Sequence, residues 1–322
     1  MKAIITLISC AMLLAWSYCT LGCATATNVD FFLERGQNNF RWSLLQNADL
    51  HGKNLSGKDF RNADLRGADL SGADLTGARL QGADLRKAVL RNATLAKADL
   101  AGARLYKADL SQSNLNGANL DHADCIMARL VEATCANAVF TNCDMSGADM
   151  SRADMKGANF SGTLFFGTDL NGANLAGVNL NDAKLYFAVL RGVDFKTALL
   201  ERTDLRDANL SGADLRKLHL SNTLLTGADF TNADLRDADL NKTNLSGVEF
   251  EMANLSGADL SGADLSGASL KRIKLTGAKL SGARVHRKYH ALIQSQNVEF
   301  SRIIWVDRQE KKDTVAQPSG EE

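Results

Sequence analysis

ADLRGADLSGADLTGARLQGADL, Ala63 to Leu85, repeats one five-residue unit without drift. An α-helix returns to the same face about every 3.6 residues and a strand at every second residue, so neither carries a beat of five. A chain that runs extended for a few residues and then turns does carry it, with one side per unit. Strand alternation points the leucine and the alanine two before it inward, and the aspartate between them toward water.

Working outward, every fifth residue from Leu45 to Val285 is Leu, Phe, Met, Cys or Val, at all 49 positions. No insertion breaks the register. The slot two residues before is nearly always Ala, occasionally Ser, Thr, Val or Cys. Asp or Asn usually stands between the two, and Ser, Thr or Arg followed by Gly or Asn comes after. So regular a repeat reads as a solenoid, in which each coil buries its apolar residues only against its neighbours.

The runs ADLRG, ANLSG, ADLSG and GANFSG resemble the pentapeptide-repeat family. The resemblance covers about Ser43 to Val285 and implies an all-β fold, a right-handed quadrilateral β-helix with about twenty residues per coil. Residues 41–285 then make about twelve coils, and at about 4.8 Å per coil the rod is about 60 Å long. Steps of twenty put Phe40, Phe60, Phe140, Phe160 and Phe300 on one interior ladder, and Phe230 with Phe250 on another. From Cys125 to Phe165 leucine gives way to Cys125, Cys135, Phe140, Met145, Met150, Met155, Phe160 and Phe165. This reads as a repacked stretch of bore, since methionine fits irregular gaps.

The ends depart from the repeat. Residues 27–40 are expected to cap the first coil through a short helix started by Asn28 or Asp30, with Phe31, Phe32 and Leu33 over the bore. Residues 286–308 are expected to form a helical lid, with Val285, Tyr289, Leu292 and Ile293 inward, then a partial coil or pairing strand through Val298, Phe300, Ile303 and Trp305. Residues 309–322 read as a disordered tail.

At the other extreme, Lys2 precedes an apolar run from Ala3 to Leu14 and then small residues, the layout of a signal peptide over 1–26. Ala24 and Ala26 suit cleavage before Thr27. Thr20-Leu21-Gly22-Cys23 also resembles a bacterial lipobox, which would acylate Cys23, and Ala3 to Gly22 approaches the length of a membrane anchor. Each alternative exports the body to the periplasm or the cell exterior, or tethers it there; contact with membrane is expected only through the leader or a lipid. With 37 basic and 37 acidic residues the chain has no net charge, which argues against a general attraction to nucleic acid.

No phosphate loop, nucleophile elbow or paired catalytic signature is present, and no catalytic, cofactor or metal site is expected. The column Asp64, Asp84, Asp124, Asp144 could approach calcium geometry, yet Arg104 and Lys184 interrupt it and Arg66, Arg86 and Arg206 can pair locally. His286 and His290 lack an acid between them, and His51, His122 and His219 are scattered. Cys125, Cys135 and Cys143 fall in inward slots and read as buried thiols.

The outside carries one less ordinary feature. Tyr106, Ile126, Ser146, Phe166 and Tyr186 follow one another at intervals of twenty, with Leu164 on the same side and Met127 and Phe187 at its edge. A contiguous apolar stripe of this kind marks an interaction surface. The leading expectation is an exported, non-enzymatic scaffold or interaction rod that meets an envelope or extracellular protein, or a second copy of itself through one end. Some members of the family mimic DNA and bind type II topoisomerases; the neutral charge and the leader argue against that here. Sugar stacking on Tyr106, Phe166 and Tyr186 is a third reading.

Overall fold

The computed structural model describes residues 24–298 and 301–307. The leader with Cys23, the expected ladder position Phe300, and the tail from residue 309 lie outside the described residues.

Parallel bridges join residues twenty apart along the body, from Asn39 and Asp59 to Asp259 and Lys279. Between bridges the chain turns once every five residues. The unit Ala68 to Gly72 shows why this is stable. Ala68 N–H donates to Leu65 O across the turn (3.0 Å), Asp69 N–H to Ala48 O one coil below (2.9 Å). Leu70 and Gly72 N–H donate to Val89 O (2.7 Å) and Arg91 O (2.8 Å) one coil above. Ser71 N–H donates to Asp69 Oδ1 at 2.9 Å. All five backbone donors are therefore used, which a buried backbone requires.

That last bond revises the expectation for the outward aspartates. They solubilise the rod, but they also fold back to cap the turn two residues on, as at Asp74 to Thr76 (2.9 Å) and Asn254 to Ser256 (3.1 Å). The short Asx side chain reaches this N–H by a local turn, which is why the repeat uses Asp and Asn.

The third residue of nearly every turn is left-handed, the pattern of a type II turn. Asparagine and glycine stack there in consecutive coils: Asn47 has φ 55° and Gly67 φ 66°. A side chain on Gly67 would begin 2.5 Å from Asn47 Oδ1, so the reaching asparagine demands the glycine above it.

The bore is solid. Leucines and their alanine partners are buried throughout, and the rings stack as pairs: Phe40 on Phe60 (centroids 5.0 Å), Phe140 on Phe160 (4.6 Å) and Phe230 on Phe250 (5.4 Å). Four residues in the small slot break the sequence rule, Lys53 and Lys58 in the early coils and Leu218 and Ile273 later, the last two nearly buried.

Both caps differ in detail from expectation. Helix α1, Val29–Glu34, follows Asn28, whose side chain accepts from Thr25 N–H (2.6 Å) and does not cap the helix. Val29 is the buried plug; Phe32 and Leu33 pack beside it, while Phe31 is 50% exposed under the Arg35 guanidinium. Lys53 ties the helix down through Asp30 at 2.9 Å.

At the far end Val285 belongs to strand β2, Arg284–His286, which lies between β1, Asp264–Leu265, and β3, Ile304–Val306, in a parallel sheet. A 3-10 turn, Arg287–Tyr289, and helix α2, His290–Gln294, form the lid, with Ile293 buried. The lid replaces the missing coil's backbone with side chains. Leu270 N–H donates to Tyr289 Oη (3.1 Å) and Leu275 N–H to Gln296 Oε1 (2.5 Å), while Gln296 Nε2 donates to Ile273 O (3.0 Å). Among the described residues no helix is long and apolar enough to cross a membrane.

Candidate interaction surface

The twenty-residue register sets Arg86, Tyr106, Ile126, Ser146, Phe166, Tyr186 and Arg206 in one column. Each carbonyl accepts from the left-handed turn residue one coil below: Lys107 N–H to Ile126 O (3.0 Å), Gly147 to Phe166 O (2.8 Å), Gly167 to Tyr186 O (3.0 Å). Phe166 is 56% and Phe187 54% exposed, and the two rings meet edge to face at 5.7 Å. Leu164 and Met127 are exposed beside them, while Tyr106, Ile126 and Tyr186 are half-buried.

Tyr186 is held in place more firmly than its neighbours. Its hydroxyl accepts from Arg206 Nη2, the guanidinium lies 4.6 Å from the ring centroid, and Arg206 is paired to the nearly buried Asp204 at 2.8 Å. A hydrogen bond to Asp204 pushes the phenol's pKa up. Periodicity could not show this tie, because the register sets Arg206 over Tyr186 without saying where either side chain turns.

The backbone contributes too. Where Arg104, Leu164 and Lys184 replace the outward Asp or Asn, the turn cap is lost, and the N–H groups of Tyr106, Phe166 and Tyr186 have no acceptor among the described residues. Apolar rings and unused donors therefore share one face. At its foot a shallow cleft of about 490 Å³ is bounded by Arg66, Arg86, Lys87 and Tyr106.

The remaining sequence candidates do not converge. Six aspartates hold the arginine two residues on in a fork, for example Arg66 Nε to Asp64 Oδ1 (2.8 Å) and Nη2 to Oδ2 (2.6 Å). His122 and His219 lie near Asp121 and Asp239, and His290 packs on Trp305. No cluster that could hold a metal occurs among the described residues.

Cys125, Cys135 and Cys143 are free and buried; Cys143 Sγ donates to Leu120 O (2.8 Å). Burial pushes the Cys135 and Cys143 thiols up to about 12 and Cys125 well above its ordinary value. Iodoacetamide at pH 8 is expected to leave all three unmodified in the folded protein and to label them in urea, as read by peptide mass mapping. Labelling of the folded protein would mean that the bore opens there.

The family model for pentapeptide repeats, eight copies, matches overlapping segments from residue 43 to 251 and from 253 to 287. The chain is a pentapeptide repeat protein. The rod is thus a right-handed β-helix, in a family of generally structural or interaction proteins. Among solved structures this pentapeptide repeat protein is similar to HetL of the cyanobacterium Nostoc sp. strain PCC 7120, involved in heterocyst differentiation regulation, at 32% identity over 80% of this chain and 97% of that one (TM-score 0.33). It is also similar to QnrB1, a plasmid-mediated fluoroquinolone resistance protein, at 18% identity over 63% and 93% (TM-score 0.36). A third likeness is to a pentapeptide repeat protein of the Arabidopsis thaliana thylakoid lumen, at 34% identity over 32% and 66% (TM-score 0.14). Comparison with curated protein sequences gives no match.

Proposed function

We infer that this protein is a non-enzymatic interaction rod of about twelve four-sided coils, exported by its leader, that presents the Phe166 stripe to a polypeptide partner in the cell envelope. The reading is carried by Phe166 and Phe187, two rings in contact and each more than half exposed, at turn positions where the repeat usually places polar residues or glycine. Covering the exposed part of each ring contributes on the order of 1 kcal/mol. The free N–H groups of Tyr106, Phe166 and Tyr186 favour an extended polypeptide, whose carbonyls would pair with them. The arginine forks neutralise the aspartates that DNA mimicry would need as phosphate substitutes, so the charge pattern favours a protein partner.

Replacing Phe166 by serine together with Phe187 by asparagine, which tolerates the left-handed turn, removes both rings without touching the bore. The doubly substituted rod is expected to keep its unfolding midpoint and to lose an envelope protein that the unaltered rod captures. Equal capture by both would sink the reading.

A further inference from the structure

The chain is neutral only as a sum. Residues 265–307 hold eight Lys and Arg against Glu299 and Asp307, while residues 224–264 hold eight Asp and Glu against Arg236 and Lys242. The cationic end comes from one coil that abandons the outward rule. Its four outward slots, which elsewhere favour Asp or Asn, read Ser269, Lys274, Lys279 and Arg284, bridged to Glu249, Asn254, Asp259 and Asp264 one coil below. Lys271 and Arg272 stand at a corner of this coil, Lys288 in the 3-10 turn of the lid, and Arg302 over Gly282, whose N–H donates to Arg302 O (3.0 Å). The cations therefore follow three successive sides and the corners beside them, and not one face.

Elsewhere an arginine two residues after an outward aspartate is neutralised in a fork, as at Arg216 and Arg236, but here Lys271 follows Ser269. Arg284 faces Asp264 at 3.5 Å and Arg287 holds Asp307 at 2.7 Å. Lys271, Arg272, Lys274, Lys279, Lys288 and Arg302 are exposed and make no ion pair among the described residues. Spread around a blunt end, they do not converge on one anion. They add into a field, which draws an anionic plane without needing a pocket.

The acidic band decides which polyanion fits. Its middle lies two coils, about 10 Å, behind the cations, about one screening length at physiological salt. A nucleic acid laid along the rod would cross that band and be repelled, and a second copy packed on one side would meet one cationic side of three. A bilayer met end on reaches all three and leaves the band behind. Ile304, 49% exposed and in register with Arg284, adds an apolar group at the same rim, which a headgroup boundary accepts.

We propose that the C-terminal end of the rod binds an anionic bilayer surface end on, through the combined field of these six unpaired cations. The contact lies at the end opposite Ala24, where the leader joins, and does not depend on the role given to the Phe166 stripe.

Cosedimentation of the full chain with vesicles of phosphatidylcholine, and with vesicles in which phosphatidylglycerol replaces three-tenths of it, separates this contact from the apolar leader, which meets both. Affinity for the anionic vesicles should be at least about tenfold higher, and the difference should vanish in 0.5 M salt. Lys274→Gln with Lys279→Gln should weaken anionic binding about fivefold per lysine, with circular dichroism and binding to phosphatidylcholine unchanged. Lys97→Gln with Lys156→Gln removes the same charge from exposed sites far from the end and should leave anionic binding as it was. Equal affinity for both vesicles, undiminished binding by the first variant, or an equal loss in the second would each overturn the proposal. So would tighter binding to a short DNA duplex, which would assign a nucleic acid, or a sedimenting dimer that the first variant abolishes, which would assign the cations to a second copy.

Discussion

Replacing Phe160 by alanine is expected to lower unfolding free energy by about 3–5 kcal/mol. Its ring is fully buried, stacked on Phe140 at 4.6 Å with 9° between the planes, and tilted against Phe165 at 5.3 Å. Removing it deletes contacts in its own coil and in the coil below. Met145, Met150 and Met155 line the same stretch, and their flexible chains can slump into part of the void, which favours the lower end of the range. Because a solenoid's coils touch only their neighbours, the damage stays local and should split urea unfolding into two transitions, one for each half of the rod. Phe31→Ala, at a ring already half in water, should leave the midpoint nearly unchanged. A loss at Phe160 below about 1 kcal/mol would mean that the bore is not packed there.

The beat of five made most of this fold legible, because burial acts on every unit alike: a leucine at Leu75 and an alanine at Ala73 state their direction by alternation alone. The stripe followed from the same register, once twenty residues returned the chain to the same side. What escaped was chemistry that alternation does not encode. Outward direction says nothing of whether Asp69 faces solvent freely or turns back to Ser71 N–H, and only the second explains why glutamate seldom takes its place. The slot rule passed over Leu218, which stands between Ala198 and Ala238, and the lost bridge between Leu199 and His219 beside it shows only in three dimensions. The caps were least legible. Val29 as a plug, and Tyr289 and Gln296 as substitutes for a missing strand, are solved once per molecule and have no repeat to announce them.

Acid is expected to weaken the whole rod progressively. Asp64 is hydrogen-bonded by Arg66, which pulls its carboxyl from the ordinary 3.8 down to about 2. Arg61, Arg216 and Arg236 hold Asp59, Asp214 and Asp234 below the ordinary range in the same way, and the Ser71 and Thr76 hydroxyls do so for Asp69 and Asp74. A carboxyl whose folded pKa lies below its unfolded one stabilises the fold fully above the unfolded value, and that stabilisation is lost as pH falls through the folded value. The window for Asp64 therefore runs from about pH 4 down to about pH 2. Solvent screens these surface forks, so each aspartate contributes on the order of 0.5 kcal/mol, and the set only a few kcal/mol. Urea midpoints should be level from pH 7 to about 5 and fall steeply between about pH 4 and 2, with a smaller fall in 0.5 M salt, where screening has already weakened the forks. The side between Leu199 and His219, which lacks its bridge, should open first, seen as early amide exchange at Thr197 and Leu200. Midpoints that stay constant down to pH 2 would mean that the forks decorate the surface without holding it.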